Sequence, residues 1–255
     1  MTAALVTGGA RRIGAHLVRM LAARGYAVAI HHRSSAAEAE ALAGEIERAG
    51  GRAAPLPADL ADLAAAEGLV TAATAALGPI AVLVNNAAIF EPDRAIDFTA
   101  AAWDRQLAIN LRAPVILARE FARLLPRGTS GLVVNLLDQQ IATPSKSYFS
   151  YTVSKLALAA ATELLAAALA PRVRVNGIAP GLTLISGAQS PADFERLVDR
   201  TPLGKGSSLD AIGRAFEYLL DAAAVTGQIL YVDGGRRLMG RVADPVAGTA
   251  GSPSA

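Results

Sequence analysis

The chain has 255 residues, 53 % hydrophobic and 18 % charged, an ordinary length for one α/β domain with ample core material. Its formal net charge is only +2 and its basic residues are dispersed, so no nucleic-acid partner is indicated. It has no cysteine, which removes disulfides and thiolate metal sites; no metal is expected, and a reducing cytoplasm suits it.

The first stretch organises the rest. Residues 3–7 are a short apolar run, enough for one buried strand, and TGGARRIG at 7–14 is a glycine-bearing turn. From Arg12 the period changes: Ile13, Leu17 and Leu21 recur at i, i+4 and i+8 with Val18 beside them, so a helix lays one face on the strand until Gly25 ends it. Strand, tight turn and helix N-terminus together make a phosphate site, because the first-turn N–H groups and the helix dipole point at an anion. Gly8 lets the turn close and Gly14 lets helix and strand approach, with Arg11, Arg12 and Ile13 as further cofactor contacts.

A second strand, 26–31, ends in His31-His32-Arg33-Ser34. At the corresponding edge of a dinucleotide fold an acidic residue accepts from a ribose 2′-hydroxyl, whereas a basic one with hydroxyls suits a 2′-phosphate. Arg33 and Ser34, with His32 and no nearby acid, favour NADP(H) over NAD(H). The chain continues with a helix at 36–49, a strand at 52–57, a helix at 62–77 and an unbroken apolar strand at 80–84. Continuous apolar strands alternating with helices predict a doubly wound parallel sheet, Rossmann-like, of about seven strands covered on both faces. The strand leads into Asn85-Asn86-Ala87-Ala88-Ile89-Phe90, where small and amide residues let a ring pack against backbone.

A long helical region covers 99–125, with a bend or junction expected at Pro114. Asn110 within it reads, on residue type alone, as a mildly unfavourable surface position. A fifth strand, 131–137, ends at Asp138, on the edge where open α/β sheets carry ligands. After a polar loop at 138–150, an alanine-rich helix at 151–170 begins YTVSK, which puts Tyr151 and Lys155 on one helix face. The nearest thing to a membrane-spanning run, 156–169, is interrupted by Thr162 and Glu163, and no membrane association is expected. A sixth strand at 172–178 leads to Pro180-Gly181; 182–207 reads as a substrate loop with a short helix near 191–200; a last helix at 209–223 and a strand at 228–232 follow. The domain is expected to span 1–242, with an Ala/Gly/Ser/Pro-rich disordered tail from 243, and the immediate entry into a strand leaves no room for a signal peptide.

The ordered set TGGARRIG, Asp59-Leu60, NNA at 85–87, Asn110, YTVSK at 151–155, PG at 180–181 and DGG at 233–235 resembles the short-chain dehydrogenase/reductase family over nearly the whole chain. Two departures matter: Arg12 stands where that family usually has glycine, and Asp138 where it usually has a catalytic serine. Both, with Phe90, are similar to the pteridine reductase subgroup and its dihydromonapterin and dihydrofolate reductase kin. The resemblance implies a homotetramer with the 151–170 helix at an interface. It implies that Asp59 and Leu60 flank the adenine, and that Pro180, Gly181 and Thr183 line the nicotinamide side. Asn110 would hold a backbone carbonyl and a water feeding protons towards Lys155, and Leu182 would open the substrate loop.

Hydride transfer to a small-molecule substrate also needs a proton source. Tyr151 is the expected acid, and a cation one helical turn away, Lys155, is expected to lower its pKa from about 10; the resemblance adds a contact from Lys155 to the nicotinamide ribose. Tyr148, three residues upstream, has Thr152 at its own +4 position and no such partner. Asp138 is either a strand-end cap or a substrate group. An ionised carboxylate only accepts hydrogen bonds, so beside a ketone it would repel the developing oxyanion, whereas beside a pterin it meets ring N–H and amino donors. Phe90 is either loop packing or one wall of a slot for a flat bicycle, with Arg12 reaching the same substrate. The expected activity is NADPH-dependent reduction of a pterin or dihydropterin, including dihydrofolate. A general carbonyl or 3-oxoacyl reductase is the alternative of the same fold, and a non-catalytic NADP(H)-binding regulator the alternative of another class.

Overall fold

A computed structural model describes residues 2–185 and 190–239; the tail expected from 243 lies outside them. Seven parallel strands form one sheet in the order β3-β2-β1-β4-β5-β6-β7: β1 Ala3–Val6, β2 Ala27–His32, β3 Ala53–Pro57, β4 Ile80–Asn85, β5 Gly131–Leu136, β6 Val173–Pro180 and β7 Ile229–Val232. The helices are α1 Arg12–Ala23, α2 Ala36–Arg48, α3 Leu63–Leu77, α4 Ala100–Leu107, α5 Ala113–Leu124, α6 Phe149–Leu169, α7 Pro191–Asp199 and α8 Leu209–Asp221. The four residues of β1 and the six of β2 are buried throughout, which is why those segments carry no polar alternation.

Each face of the sheet has its own core. On one, Leu17, Val18 and Leu21 of α1, Leu42 and Ile46 of α2 and Ile212, Phe216 and Leu219 of α8 meet β1, β2 and β4. On the other, Leu69 and Val70 of α3, Leu117 and Phe121 of α5 and Ala166 of α6 pack against the opposite sides of the same strands. The strand order reverses between β1 and β4, and in such sheets the crevice outside the carboxyl ends at that point holds the ligand.

Two segments differ from expectation. The helical region before β5 contains a π turn, Ala108–Arg112, between α4 and α5. Pro114 has no N–H for the carbonyl four residues back, and Ala113 N–H donates to the Ala108 carbonyl five residues back, so the irregularity falls before the proline. This turns Asn110 inward to full burial, against the surface reading of its residue type. Helix α6 begins at Phe149, two residues earlier than expected, and over 21 residues it is long and apolar enough by composition to cross a membrane, so Thr162 and Glu163 do not break it. Its buried side nevertheless carries Tyr151, Ser154, Lys155 and Thr162, all hydrogen-bonded within the fold.

Candidate active site

A cavity of about 390 Å³ at the switch point runs from the glycine turn to the end of β2. Gly8, Arg11, Arg12 and Ile13 line one end, His32, Arg33 and Ser34 the other, and Leu60, Asn86 and Ala87 the floor. The first intrahelical bond of α1 runs from Ala15 N–H to the Arg11 carbonyl, so the N–H groups of Arg12, Ile13 and Gly14 have no partner within the helix. Gly8 adopts φ +60° and donates its N–H to His31 Nδ1 at 3.0 Å; a Cβ on Gly14 would sit 2.2 Å from the Gly8 carbonyl oxygen. Thr7 Oγ1 accepts from the N–H groups of Asn86 and Ala87, and the Asn86 amide donates to the carbonyls of Thr7 and Gly8, which knits the NNA segment to the turn. His32 Nδ1 is buried without a partner among the described residues. Free helix amides at one end, and two cationic or hydroxylic side chains with an orphaned imidazole nitrogen at the other, fit a dinucleotide carrying a 2′-phosphate.

Asp59 lies exposed beside the cavity, its carboxylate accepting from Ala61 N–H in a turn. Pro180, Gly181 and Thr183 sit at the carboxyl end of β6, outside the lining of this cavity; Gly181 N–H donates to the Val232 carbonyl and to Ser207 Oγ, and Thr183 Oγ1 to the Gly181 carbonyl. Leu182 is tied to the far end of its loop by Ser207 N–H donating to its carbonyl.

At the carboxyl end of β5 and the start of α6, three side chains converge. Tyr151 OH donates to Asp138 Oδ2 at 2.9 Å, while Asp138 Oδ1 accepts from Gln140 N–H at 2.8 Å. One Asp138 oxygen thus caps a turn and the other faces the phenol. Lys155 Nζ, almost fully buried, donates to the Leu136 carbonyl at 2.7 Å and lies 5.8 Å from the Tyr151 ring centroid. Asn110 makes a reciprocal pair with the Ile89 backbone, at 2.9 and 3.0 Å, and donates to Ser154 Oγ and to Gln106 Oε1.

The family model described as enoyl-(acyl carrier protein) reductase matches residues 8–237. The chain belongs to the short-chain dehydrogenase/reductase family. It resembles the FolM alternative dihydrofolate reductase 1 of Brucella canis, solved as a complex with NADP, at 46 % identity and a TM-score of 0.92 over 96 % of this chain and 97 % of that one. Its counterpart from Brucella suis, also with NADP, is 47 % identical with a TM-score of 0.90, over 93 % and 95 % of the two chains. Pteridine reductase 1 of Leishmania tarentolae is 31 % identical over 92 % of this chain and 96 % of its own.

The electrostatics of this reductase correct one expectation. Burial, and then the Asp138 charge and its hydrogen bond, push the Tyr151 phenol well above its usual pKa of 10.0, opposite to the lowering expected from Lys155. Burial also raises Asp138, partly offset by the Gln140 N–H, the Tyr151 hydroxyl and the charges of Lys155 and Arg236. Burial brings Lys155 down to about 8, with Asp138 opposing. The short-chain reductase thus holds a neutral phenol against the Asp138 carboxylate, with a cation beside them whose charge burial disfavours.

The wall of the site differs from expectation too. Phe90 stacks on Tyr148, with centroids 4.1 Å apart and planes at 9°, and meets the Tyr151 ring edge-on at 4.6 Å. Tyr148, set aside in the sequence for want of a charge partner, is thus part of the site through its ring. Arg12, at φ +53°, donates to the carbonyls of Leu184 and Ile185, at 3.4 and 3.2 Å, and so holds the start of the substrate loop. Asp93 is a further residue of the site that sequence reasoning missed. Its carboxylate accepts from Ser150 N–H and its carbonyl from Phe149 N–H, so it caps α6 from the Phe90 loop.

Proposed function

We propose that this enzyme is an NADPH-dependent reductase of dihydropterins, dihydrofolate among them. The reading rests on Asp138, whose carboxylate stands where a ketone reductase of this family places a hydroxyl donor, and which bonds the Tyr151 phenol at 2.9 Å. A carboxylate accepts from the N–H and amino groups of a pterin and opposes the oxyanion of a reduced ketone. The NADP-bound FolM structures and the pteridine reductase relative support it.

The nicotinamide, when bound, supplies the hydride. Tyr151 delivers the proton to the ring nitrogen next to the reduced carbon, and Asp138 and Lys155 set its charge environment. Asn110 fixes the Ile89 backbone and with it the Phe90 wall, Phe90 and Tyr148 face the flat bicycle, and Arg12, with Leu182, borders it from the loop. Lys155 would also hold the nicotinamide ribose. Asp59 and Leu60 would flank the adenine, and Pro180, Gly181 and Thr183 the nicotinamide amide. The enzyme works in the cytoplasm as a homotetramer that meets through the α6 face, where Leu164 is 71 % exposed.

The test is NADPH consumption, followed by near-ultraviolet absorbance, with dihydrobiopterin, dihydromonapterin and dihydrofolate. Turnover of at least one, abolished by Tyr151→Phe, is expected. Turnover of simple ketones and of no pterin would overturn the reading in favour of a general carbonyl reductase, and tight NADPH binding without any turnover would make the protein a regulator.

A further inference from the structure

A second cavity, about 500 Å³, opens beside the Tyr148 ring of the aromatic wall. It is lined by Gln139, Gln140, Tyr148, Leu197, Arg200 and Arg236, among others. Three observations tie it to the reaction centre. Gln139 and Gln140 directly follow Asp138, Tyr148 is the ring stacked on Phe90, and the Arg236 charge is felt at the Asp138 carboxylate. The cavity has a single sign. No acidic residue lines it, and among the described residues neither Arg200 nor Arg236 has a carboxylate within 4.0 Å. The side-chain oxygens of Gln139 and Gln140 are occupied by the hydroxyls of Thr143 and Thr152, which leaves their amides N–H groups to offer.

A concave site of this size with two guanidiniums and two amide donors recognises an anion, and the guanidinium fork matches a carboxylate or a phosphate in bidentate fashion. We infer that the Arg200–Arg236 cavity is a tail subsite that takes an anionic extension of the pterin, a carboxylate tail above all. The flat ring lies at Phe90 and its substituent passes over Tyr148 to the two arginines. The inference rests on the proposed dihydropterin activity and deepens it: the enzyme selects conjugated, negatively charged pterins over those with neutral side chains.

The experiment compares kcat/KM for dihydrofolate, for a dihydropterin phosphate monoester and for neutral-tailed dihydrobiopterin in the wild type, Arg200→Ala, Arg236→Ala and the double variant. In parallel, p-aminobenzoylglutamate, the anionic tail alone, is titrated by calorimetry into each protein saturated with NADP. The double variant is expected to lower the dihydrofolate-to-dihydrobiopterin ratio at least about tenfold, chiefly through KM, with loss of the tail titration. Lysine at both positions is expected to restore part of the ratio by charge alone. Equal losses for dihydrofolate and the phosphate ester make this a general anion site, and a loss for dihydrofolate alone makes it a carboxylate site. A ratio within twofold of wild type, or tail binding equal in the double variant, overturns the inference while dihydropterin turnover stands. If the wild type turns over no pterin, the proposed reaction fails, and the tail titration alone decides whether the subsite exists.

Discussion

At the residue scale, the geometry departs most from the usual account of a tyrosine acid beside a lysine. Lys155 was expected to draw the phenol down; burial and Asp138 push it up instead. Sequence spacing shows which groups share a helix face, but not how much water a group loses, and here desolvation is the largest influence on all three. With Lys155 at about 8, kcat/KM for NADPH, which reports ionisations of the free enzyme, is expected to fall tenfold per pH unit above that value. A profile flat to one unit beyond it would contradict the assignment. The same shift has a stability counterpart. The folded value lies below the unfolded 10.5, so between about 8 and 10.5 the unfolded chain holds more protons and the cofactor-free enzyme gains stability as pH rises; below about 8 the full burial penalty applies. Phe90 and Asp138 were legible as residues out of place in a general family pattern. Arg200 and Arg236 were not, since a scattered arginine carries no signal until the fold brings two to one cavity.

At the scale of elements, the strands and helices followed from hydrophobic period and glycine punctuation, to within one or two residues at most ends. The exceptions are the π turn at Ala108–Arg112, which falls just before Pro114, and the early start of α6 at Phe149, which is held by Asp93, distant in sequence. Tyr148 at the N-cap of α6 makes no capping bond of its own, so no local motif marks that boundary. Asp93 caps α6 from the same loop that carries Phe90, which couples the aromatic wall to the helix bearing Tyr151. Asp93→Ala is expected to cost about 1 kcal/mol of stability in chemical denaturation and to lower kcat as well. A variant with unchanged stability and kcat would show that this cap is incidental.

At the scale of the whole molecule, the parallel sheet and its reversal between β1 and β4 put the glycine turn, the NNA segment, Asp138 and the start of α6 along one edge. That convergence is why a string of weak motifs was readable as one site. The outer face of α6 is the other large-scale feature. Leu164, 71 % exposed, and Leu156, 39 % exposed, lie on a helix whose opposite side holds the reaction centre. In the proposed tetramer they are covered, so Leu164→Glu is expected to reduce the mass in light scattering to that of a dimer or monomer. A wild-type protein that is already monomeric would contradict the assembly without touching the chemistry.

The central claim, that a carboxylate at the proton-transfer position selects a nitrogen heterocycle, is tested most directly by Asp138→Ser, measured as kcat/KM for dihydrobiopterin and for a simple ketone in the same preparation. The account predicts that dihydropterin reduction falls at least about a hundredfold, of the order expected for losing a group placed at the reacting centre, while ketone reduction rises or appears. Dihydropterin turnover equal to wild type in the serine variant would contradict it.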